Sequence, residues 1–315
     1  MNENGIETRL VYGFLDAGKT TYIQDCIQND FFHKYGTTLI LCFEQGEAEY
    51  DEKALSEKKT YVAYYDGNED AGAFCLRCID TYRPDRIYVE MNAMMQDLKE
   101  QLPDAMRIAS AVTWIDWATL GLYFANFRQM ISRMVQDSLQ VTFRGCPSKE
   151  LLAPYSQAFR LMNQKASYLR QDPMGYHEKA FDLFLPFSLD TEEITVAVEH
   201  YLPFWLDAHD HPEHYDGKML KFTDPLELRY AAGDEQWTAG RVVMICCMAD
   251  LQFMSFVVED TDRTSGESRI TGEGWITLEA LAKVVTGTYG QRSLRLAPKE
   301  LRYSSAPKEL ILDSR

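Results

Sequence analysis

The sequence predicts an α/β domain built on a doubly wound sheet, followed by a small, OB-like β-barrel domain. Up to about residue 170, short β-rich runs alternate with longer helical segments, the order expected of parallel strands joined by crossover helices. Beyond residue 189, short strand candidates separated by turn residues dominate, as in small barrels. We therefore expect two domains, 1–187 and 188–315, in this chain of 315 residues.

The strand candidates of the first domain are short and mostly apolar. Thr37–Phe43 shows no polar alternation, as expected of a strand that is buried on both faces. The other candidates are strands at Arg9–Tyr12, Arg86–Glu90, Ala111–Ile115 and Leu139–Phe143, and helices at Thr20–Gln28, Ala73–Tyr82 and Trp117–Gln136. In the second domain the strand candidates are Met219–Phe222, Arg241–Cys247, Phe253–Glu259, Trp275–Thr286 and Ser293–Arg302. Five strands of this length are enough to close a small barrel.

The composition argues against several classes of partner. The formal net charge is −16, and such a surface repels nucleic acid and anionic lipid, because both bind through neutralising Lys and Arg. No run approaches the ~20 apolar residues of a membrane span, and the polar N-terminus, Met1–Arg9, is unlike a signal peptide. The 7 cysteines are an odd number, which indicates reduced thiols. We expect a cytoplasmic protein that does not bind nucleic acid.

A phosphate-binding motif follows the first predicted strand. Residues 13–20 match G-x-x-x-x-G-K-[ST] at every fixed position and open a predicted helix. The glycines let the loop wrap closely, so that its N–H groups and the helix N-terminus face phosphates. Lys19, which we expect to be exposed, reaches the β- and γ-phosphates, and the Thr20 hydroxyl binds Mg²⁺. The sequence thus predicts binding of a nucleoside triphosphate with Mg²⁺ by Gly13, Asp16, Ala17, Gly18, Lys19, Thr20 and Thr21.

Further motifs continue this pattern along the first domain. After Thr20-Thr21 come Glu44-Gln45-Gly46-Glu47, Asp51, a strand ending in Glu90, Trp114-Ile115-Asp116, Asn126–Met130 and Met162–Ala166. Together they resemble the CobW/HypB/UreG group of P-loop GTPases, and the CobW-like metallochaperone branch in particular. The resemblance implies hydrolysis of GTP or ATP and a role in metal homeostasis or metal insertion.

The C-terminal part carries a second resemblance. Asp207-Ala208, Pro212, Tyr215–Lys218 and Arg241–Asp250 are similar to a domain of bacterial proteins that occurs beside CobW-like domains and a predicted permease. That domain is associated with zinc or other metal homeostasis. The two resemblances imply a metalloprotein client or a membrane permease as partner and Zn²⁺ as a further metal, and they allow a homodimer.

Four carboxylates are candidates to complete the Mg²⁺ shell or to orient the attacking water: Glu47, Asp51, Glu90 and Asp116. We favour Glu90 and Asp116 as the catalytic residues, because both lie at strand ends beside the loop, where an α/β sheet binds its ligand. Glu47 and Asp51 are then candidate Mg²⁺ ligands.

The sequence departs from the resembled family at two motifs. The guanine-binding N-K-x-D should follow the strand at 139–143, and Arg144-Gly145-Cys146-Pro147 stands there instead. GTP and ATP therefore both remain candidates, and a nucleotide-gated binding or adaptor module with little turnover is the alternative to an NTPase. The C-x-C-C metal motif is also replaced, and the nearest cysteines are Cys75 and Cys78.

Three groups of side chains are candidate transition-metal ligands. Cys75 and Cys78 share a helix face, where packing is the favoured interpretation and a soft-metal site the alternative. The histidines near residue 210 either chelate Zn²⁺ or Ni²⁺ or belong to a polar connector. Two adjacent cysteines in a predicted strand point to opposite faces, which leaves one available to a ligand, and packing is the equally weighted alternative. The resulting candidate ligands of a transition metal are Cys246, Cys247, His209, His211 and His214.

Overall fold

The computed structural model of the chain describes residues 5–29, 36–95, 97–181, 185–233, 235–246, 249–260, 270–287 and 290–313. The chain divides into two units, one formed by residues 1–153 and 162–181 and the other by residues 154–161 and 182–315. The domain boundary expected at residue 187 stays a prediction. None of the helices in these described ranges is long and apolar enough to cross a membrane.

The first unit is built on a mainly parallel sheet. Its described strands are β1 (Ile6–Tyr12), β2 (Thr38–Cys42), β3 (Thr60–Tyr64), β4 (Arg86–Glu90), β5 (Met106–Asp116), β6 (Gln140–Arg144), β7 (Ser167–Gln171) and β8 (His177–Lys179). The order across the sheet is β3-β2-β4-β1-β5-β6-β7-β8. Every neighbouring pair is parallel except β7 and β8. This confirms the predicted doubly wound α/β sheet.

The helices of the first unit are α1 (Lys19–Gln28), α2 (Glu52–Glu57), α3 (Ala71–Tyr82), α4 (Trp117–Asn126) and α5 (Arg128–Gln136). The single helix predicted over residues 117–136 is therefore wrong. Phe127 leaves helical geometry, with φ −128° and ψ 31°, and ends α4 while it opens α5. Its N–H donates to the carbonyl of Tyr123, and its own carbonyl accepts from Met130 and Ile131. No Gly or Pro marks this break in the sequence.

The centre of the sheet positions the ends of β1, β2 and β4. All residues of β2 and β4 are buried, as expected of strands covered on both faces. The parallel register aligns Glu90 with Val11 on one side and with Cys42 on the other. The carboxyl end of β4 therefore lies beside the start of the loop over residues 13–20.

The second unit takes residues 154–161 of α6 (Ala153–Met162) and continues with β9 (Glu193–Val196), α7 (Tyr201–Asp210), β10 (Met219–Phe222), β11 (Leu226–Ala231), β12 (Gln236–Met244), β13 (Leu251–Val258), β14 (Gly274–Thr286), β15 (Arg292–Tyr303) and β16 (Ile311–Asp313). Five strands pair in a closed ring, β11-β12-β13-β15-β14-β11, and the β13–β15 pair is parallel. This ring confirms the predicted small barrel.

Alternate side chains of the barrel strands fill the barrel interior. Along β14, Ile276, Leu278, Ala280 and Ala282 are fully buried at every second position. One of the five strands predicted for the barrel, Met219–Phe222 (β10), is not part of the ring. The ring is closed by β11, which was not predicted. The strand predicted over residues 241–247 starts five residues late and extends past the end of β12, which spans Gln236–Met244; residue 247 lies outside the described residues.

Candidate nucleotide-binding site

The loop between β1 and α1 has the backbone that its glycines predict. Gly13 has φ 153° and Gly18 has φ 100°, and Asp16 also has a positive φ, of 59°. A Cβ at Gly13 would lie 2.5 Å from the carbonyl oxygen of Trp114. A side chain is therefore excluded at that position by the neighbouring strand as well as by the backbone conformation.

The rest of the loop is fixed by packing. The Phe14 ring stacks on Tyr123 of α4 with centroids 4.1 Å apart. Ala17 is buried, and its N–H donates to the carbonyl of Phe14 at 3.2 Å. The loop is thus a rigid turn that ends in the first turn of α1, where free N–H groups favour an anion.

Lys19 is buried, with 3% relative exposure, so the expectation that it is exposed is wrong. Its ammonium donates to the carbonyls of Gly13 at 3.0 Å and Phe14 at 2.8 Å. It also donates to Glu44 Oε2 at 2.5 Å.

Thr20 and Glu90 meet at the end of β4. The Thr20 hydroxyl donates to Glu90 Oε1 at 2.9 Å, and the Tyr50 hydroxyl donates to Glu90 Oε2. Burial raises the pKa of Glu90, while the bonds from Tyr50 and Thr20 and the charge of Lys19 oppose that rise. Burial, with the charge of Glu90 as a lesser cause, raises the pKa of the neighbouring Cys42 thiol to about 12, so this thiol stays protonated. The result is one buried carboxylate beside a hydroxyl, which are hard oxygen ligands suited to Mg²⁺.

The other predicted carboxylates have different surroundings. Asp116 caps α4, accepting from the Ala118 N–H at 3.2 Å, and Asp51 caps α2, accepting from the Ala54 N–H at 3.0 Å. Glu47 is exposed, and its N–H donates to Asp16 Oδ1 at 2.9 Å. The roles predicted for these side chains stay predictions.

Several cavities of the first unit adjoin the loop, and two of them are also lined by Arg144. The smaller of the two, about 300 Å³ in volume, is lined in part by Asp16, Gly18, Lys19, Thr20, Thr21, Glu47, Glu90 and Asp116. A second, of about 540 Å³, lies past Gly18 and is lined in part by Tyr22, Asp25, Trp114, Asp172 and Met174. Arg144 lines both, and its Nη1 donates to the Asp16 carbonyl at 3.2 Å. The first cavity suits phosphates, and the second has room for a nucleoside.

Two residues at this site were not assigned a role from the sequence. Glu44 belongs to the Glu44–Glu47 motif of the sequence, but the motif does not reveal its contact with Lys19. Tyr50 carried no signal at all, because its contact with Glu90 spans 40 residues of sequence. Both contacts depend on how β2 and β4 pair.

The candidate transition-metal ligands of the second unit do not form one cluster. Among the described residues, no three His, Cys, Asp or Glu side chains are arranged to hold a metal ion. The His209 ring packs on Trp205 with centroids 3.9 Å apart and the ring planes tilted by 33°, and burial lowers the pKa of His209. The Cys246 thiol donates to Asp250 Oδ2 at 3.2 Å, and Cys247 lies outside the described residues.

His214 has the most ordered surroundings of the three histidines. Its Nδ1 lies 2.9 Å from Oδ2 of Asp207, which is buried and also accepts from the Tyr215 hydroxyl at 2.9 Å. The His211 ring stacks on it with centroids 5.0 Å apart. A carboxylate on one ring nitrogen directs the other nitrogen outwards, as in many metal-binding histidines.

Cys75 and Cys78 lie on the buried face of α3, with 0% and 2% exposure. Burial raises the pKa of both thiols, that of Cys75 to about 12. Protonated, buried thiols agree with the packing interpretation favoured from the sequence.

Among solved structures, the N-terminal half is similar to hydrogenase maturation factor HypB from Archaeoglobus fulgidus, with 14% identity, a TM-score of 0.37, and coverage of 54% of this chain and 83% of that one. It is also similar to Zn(II)-bound YjiA GTPase from E. coli, with 17% identity, a TM-score of 0.35, and coverage of 53% of this chain and 57% of YjiA. HypB from Helicobacter pylori in complex with nickel has 10% identity, a TM-score of 0.35, and coverage of 53% and 79%.

No curated protein matches the sequence. The match to a known family lies in the C-terminal half of the chain. Residues 176–299 match the model of the DUF1980 C-terminal domain.

Proposed function

We propose that the first unit binds a nucleoside triphosphate with Mg²⁺ and hydrolyses it. The observation that carries this proposal is the arrangement of the loop at 13–20. Its Lys19 is buried, and its Thr20 donates a hydrogen bond to Glu90, at the carboxyl ends of β1 and β4. An α/β sheet binds its ligand at this edge.

Residues of this chain can bind the phosphates, neutralise their charge and hold Mg²⁺. The loop N–H groups and the N-terminus of α1 hold the phosphates, and Lys19 neutralises charge on the β- and γ-oxygens. Thr20 and Glu90 would hold Mg²⁺, which would neutralise the charge that develops on the phosphate oxygens. Glu90 and Asp116 are the proposed catalytic residues, and Glu47 and Asp51 are further proposed Mg²⁺ ligands.

The direct test is a titration of the protein with GTP, ATP and their diphosphates, with and without Mg²⁺. Steady-state release of phosphate is measured in parallel. Binding that requires Mg²⁺ and a third phosphate, with turnover, supports the proposal. Absence of binding by all four nucleotides contradicts it.

We expect weak discrimination between GTP and ATP. A carboxylate that accepts from guanine is what rejects other bases, and Pro147 stands where the sequence motif requires it. Titrations of both nucleotides should give dissociation constants within about tenfold of each other, because each tenfold preference requires about 1.4 kcal/mol of base-specific contact.

A preference for GTP of about a hundredfold or more would contradict this expectation. It would point to Asp172, which lines the larger cavity and accepts from the N–H groups of Met174 and Tyr176. Asp172→Asn would then remove the preference, and Asp25→Asn, at another wall of the cavity, serves as the matched control.

We further propose that the protein acts in metal homeostasis or metal insertion, serving a metalloprotein client or a membrane permease. The resemblances in sequence support this proposal. Its proposed ligands are His209, His211 and His214 with Cys246 or Cys247, and Zn²⁺ suits imidazole and thiolate together.

Zn²⁺ binding by the full chain is expected to weaken as pH falls from about 7.5 to about 5.5, because imidazole and thiolate ligands must be deprotonated. Calorimetry under reducing conditions checks this. His211→Ala with His214→Ala should weaken Zn²⁺ binding and leave nucleotide binding unchanged, and His177→Ala in the first unit is the control. Unchanged Zn²⁺ affinity in the double variant and in Cys246→Ser/Cys247→Ser would remove these residues from the site.

A second candidate is a nucleotide-gated binding module with negligible turnover. The replacement of the guanine motif by residues 144–147 favours it, because base recognition is relaxed there. Tight, Mg²⁺-dependent binding together with phosphate release no faster than without protein would support this candidate over the NTPase.

A further inference from the structure

The ammonium of Lys19 has no spare hydrogen-bond donor. A lysine ammonium carries three donors. The carbonyls of Gly13 and Phe14 take two of them, at 3.0 and 2.8 Å, and Glu44 Oε2 takes the third at 2.5 Å. The side chains of Lys19 and Glu44 are 2% and 11% exposed, so water screens this pair poorly.

Glu44 is held at this position by its own segment. It follows β2, and its carbonyl accepts from the Cys42 thiol at 2.9 Å. Three residues on, the Glu47 N–H donates to Asp16 Oδ1 of the phosphate-binding loop at 2.9 Å. Both Glu44 and Glu47 line the smaller cavity beside the loop. The Glu44 carboxylate therefore lies at the wall of the cavity that is proposed to hold phosphates.

We infer that Glu44 is an internal competitor of the phosphate chain, which must displace this carboxylate from Lys19 in order to bind. The inference rests on the proposed nucleotide site and adds a residue that sets its affinity. A phosphate oxygen can reach the ammonium only by taking the donor that Glu44 uses. The charge of Glu44 would also repel a phosphate oxygen that approaches the ammonium in this poorly screened site, which favours release of the carboxylate.

Hydrogen bonds to α1 limit the segment that would move when Glu44 is displaced. Gln24 of α1 accepts from the Asp51 N–H at 2.8 Å and donates to the Glu49 carbonyl at 3.3 Å. Both hydrogen bonds are exposed, and Gln24 is not among the residues that line the smaller cavity. Displacement is therefore confined to residues 44–48, with Gln24 holding the far end.

The energetic consequence is a lowered apparent affinity. If the wild-type site is free of Glu44 for only a tenth of the time or less, its apparent dissociation constant is raised about tenfold or more. Removing the carboxylate should remove this factor. An ion pair that only stabilises the loop predicts the opposite, because its loss would disorder the site and weaken binding.

The test compares the wild type with Glu44→Ala and Glu44→Gln. The probes are Mg²⁺ with a non-hydrolysable ATP or GTP analogue, and inorganic tripolyphosphate, which needs no base pocket. Glu57→Gln, which removes one carboxylate from an exposed position of α2, is the matched control. We expect both probes to bind Glu44→Ala at least about tenfold more tightly than the wild type, with the control unchanged. Circular dichroism and thermal melting show that each variant is folded.

A second measurement follows amide hydrogen exchange in residues 44–48. Addition of the nucleotide analogue to the wild type should speed exchange there, and Glu44→Ala should show the faster exchange without ligand. If the wild type binds the analogue and folded Glu44→Ala binds it equally or more weakly, the inference is rejected and the nucleotide site stands. If neither protein binds either probe, the proposed function is rejected and the inference with it.

Discussion

Replacing Lys19 with alanine is expected to abolish measurable triphosphate binding. Among the described residues, the ammonium is the one buried cation that touches the loop carbonyls of Gly13 and Phe14, and Lys19 lines the cavity proposed to hold phosphates. Truncating one partner of a buried charge pair costs about 2–5 kcal/mol, and each 1.4 kcal/mol is tenfold in affinity. Calorimetry with Mg²⁺ and a triphosphate should show a loss of at least about thirtyfold.

The control must separate binding from folding, because Lys19 is buried. Lys19→Ala leaves Glu44 with no ammonium, and an unpaired, partly buried group of this kind costs about 1–3 kcal/mol of unfolding free energy. Lys19→Ala/Glu44→Ala should recover this stability without recovering triphosphate binding. Lys53→Ala, at an exposed position of α2, controls for the loss of one positive charge. Unchanged affinity in a folded Lys19→Ala protein would contradict the P-loop assignment.

The parts of the fold that could be predicted from the sequence depend on local patterns. The fixed spacing from Gly13 to Thr20 specifies a loop between a strand and a helix, and the uninterrupted apolar run over residues 38–42 specifies a strand covered on both faces. Alternation along β14 likewise specifies a barrel strand. Each of these signals lies within a dozen residues, where the periodicity of one element decides the outcome.

The parts that could not be predicted depend on contacts between distant segments. Glu44 meets Lys19 across 25 residues, and Tyr50 meets Glu90 across 40, because β2 and β4 pair with Cys42 opposite Glu90. Sequence spacing does not reveal that register. The break between α4 and α5 at Phe127 also depends on a distant contact, because the Phe127 ring packs beside Phe14 with centroids 6.2 Å apart. No Gly or Pro at the break marks it in the sequence. The strand β11 was also missing from the prediction, but its signal is local: Leu226 and Leu228 alternate with polar residues, which indicates a strand.

The second large effect is expected from Glu90→Gln, which should lower the rate of phosphate release at least about a hundredfold. Glu90 is the carboxylate bonded to the Thr20 hydroxyl at 2.9 Å, so its charge is placed where Mg²⁺ would be held. Glutamine keeps the size of the side chain and removes that charge. Binding of the triphosphate should weaken much less than turnover, and a higher Mg²⁺ concentration should recover only part of the rate.

The fold of Glu90→Gln is expected to survive, and the sign of the pKa shift gives the reason. Because burial raises the pKa of Glu90, ionisation destabilises the folded state as pH rises through that value, and glutamine removes this cost at neutral pH. Asp116→Asn is the matched comparison, since Asp116 caps α4 and lines the same cavity. We expect its effect on turnover to be smaller than that of Glu90→Gln. Phosphate release in Glu90→Gln at the wild-type rate would remove Glu90 from catalysis, and a larger loss in Asp116→Asn would transfer the principal role to Asp116.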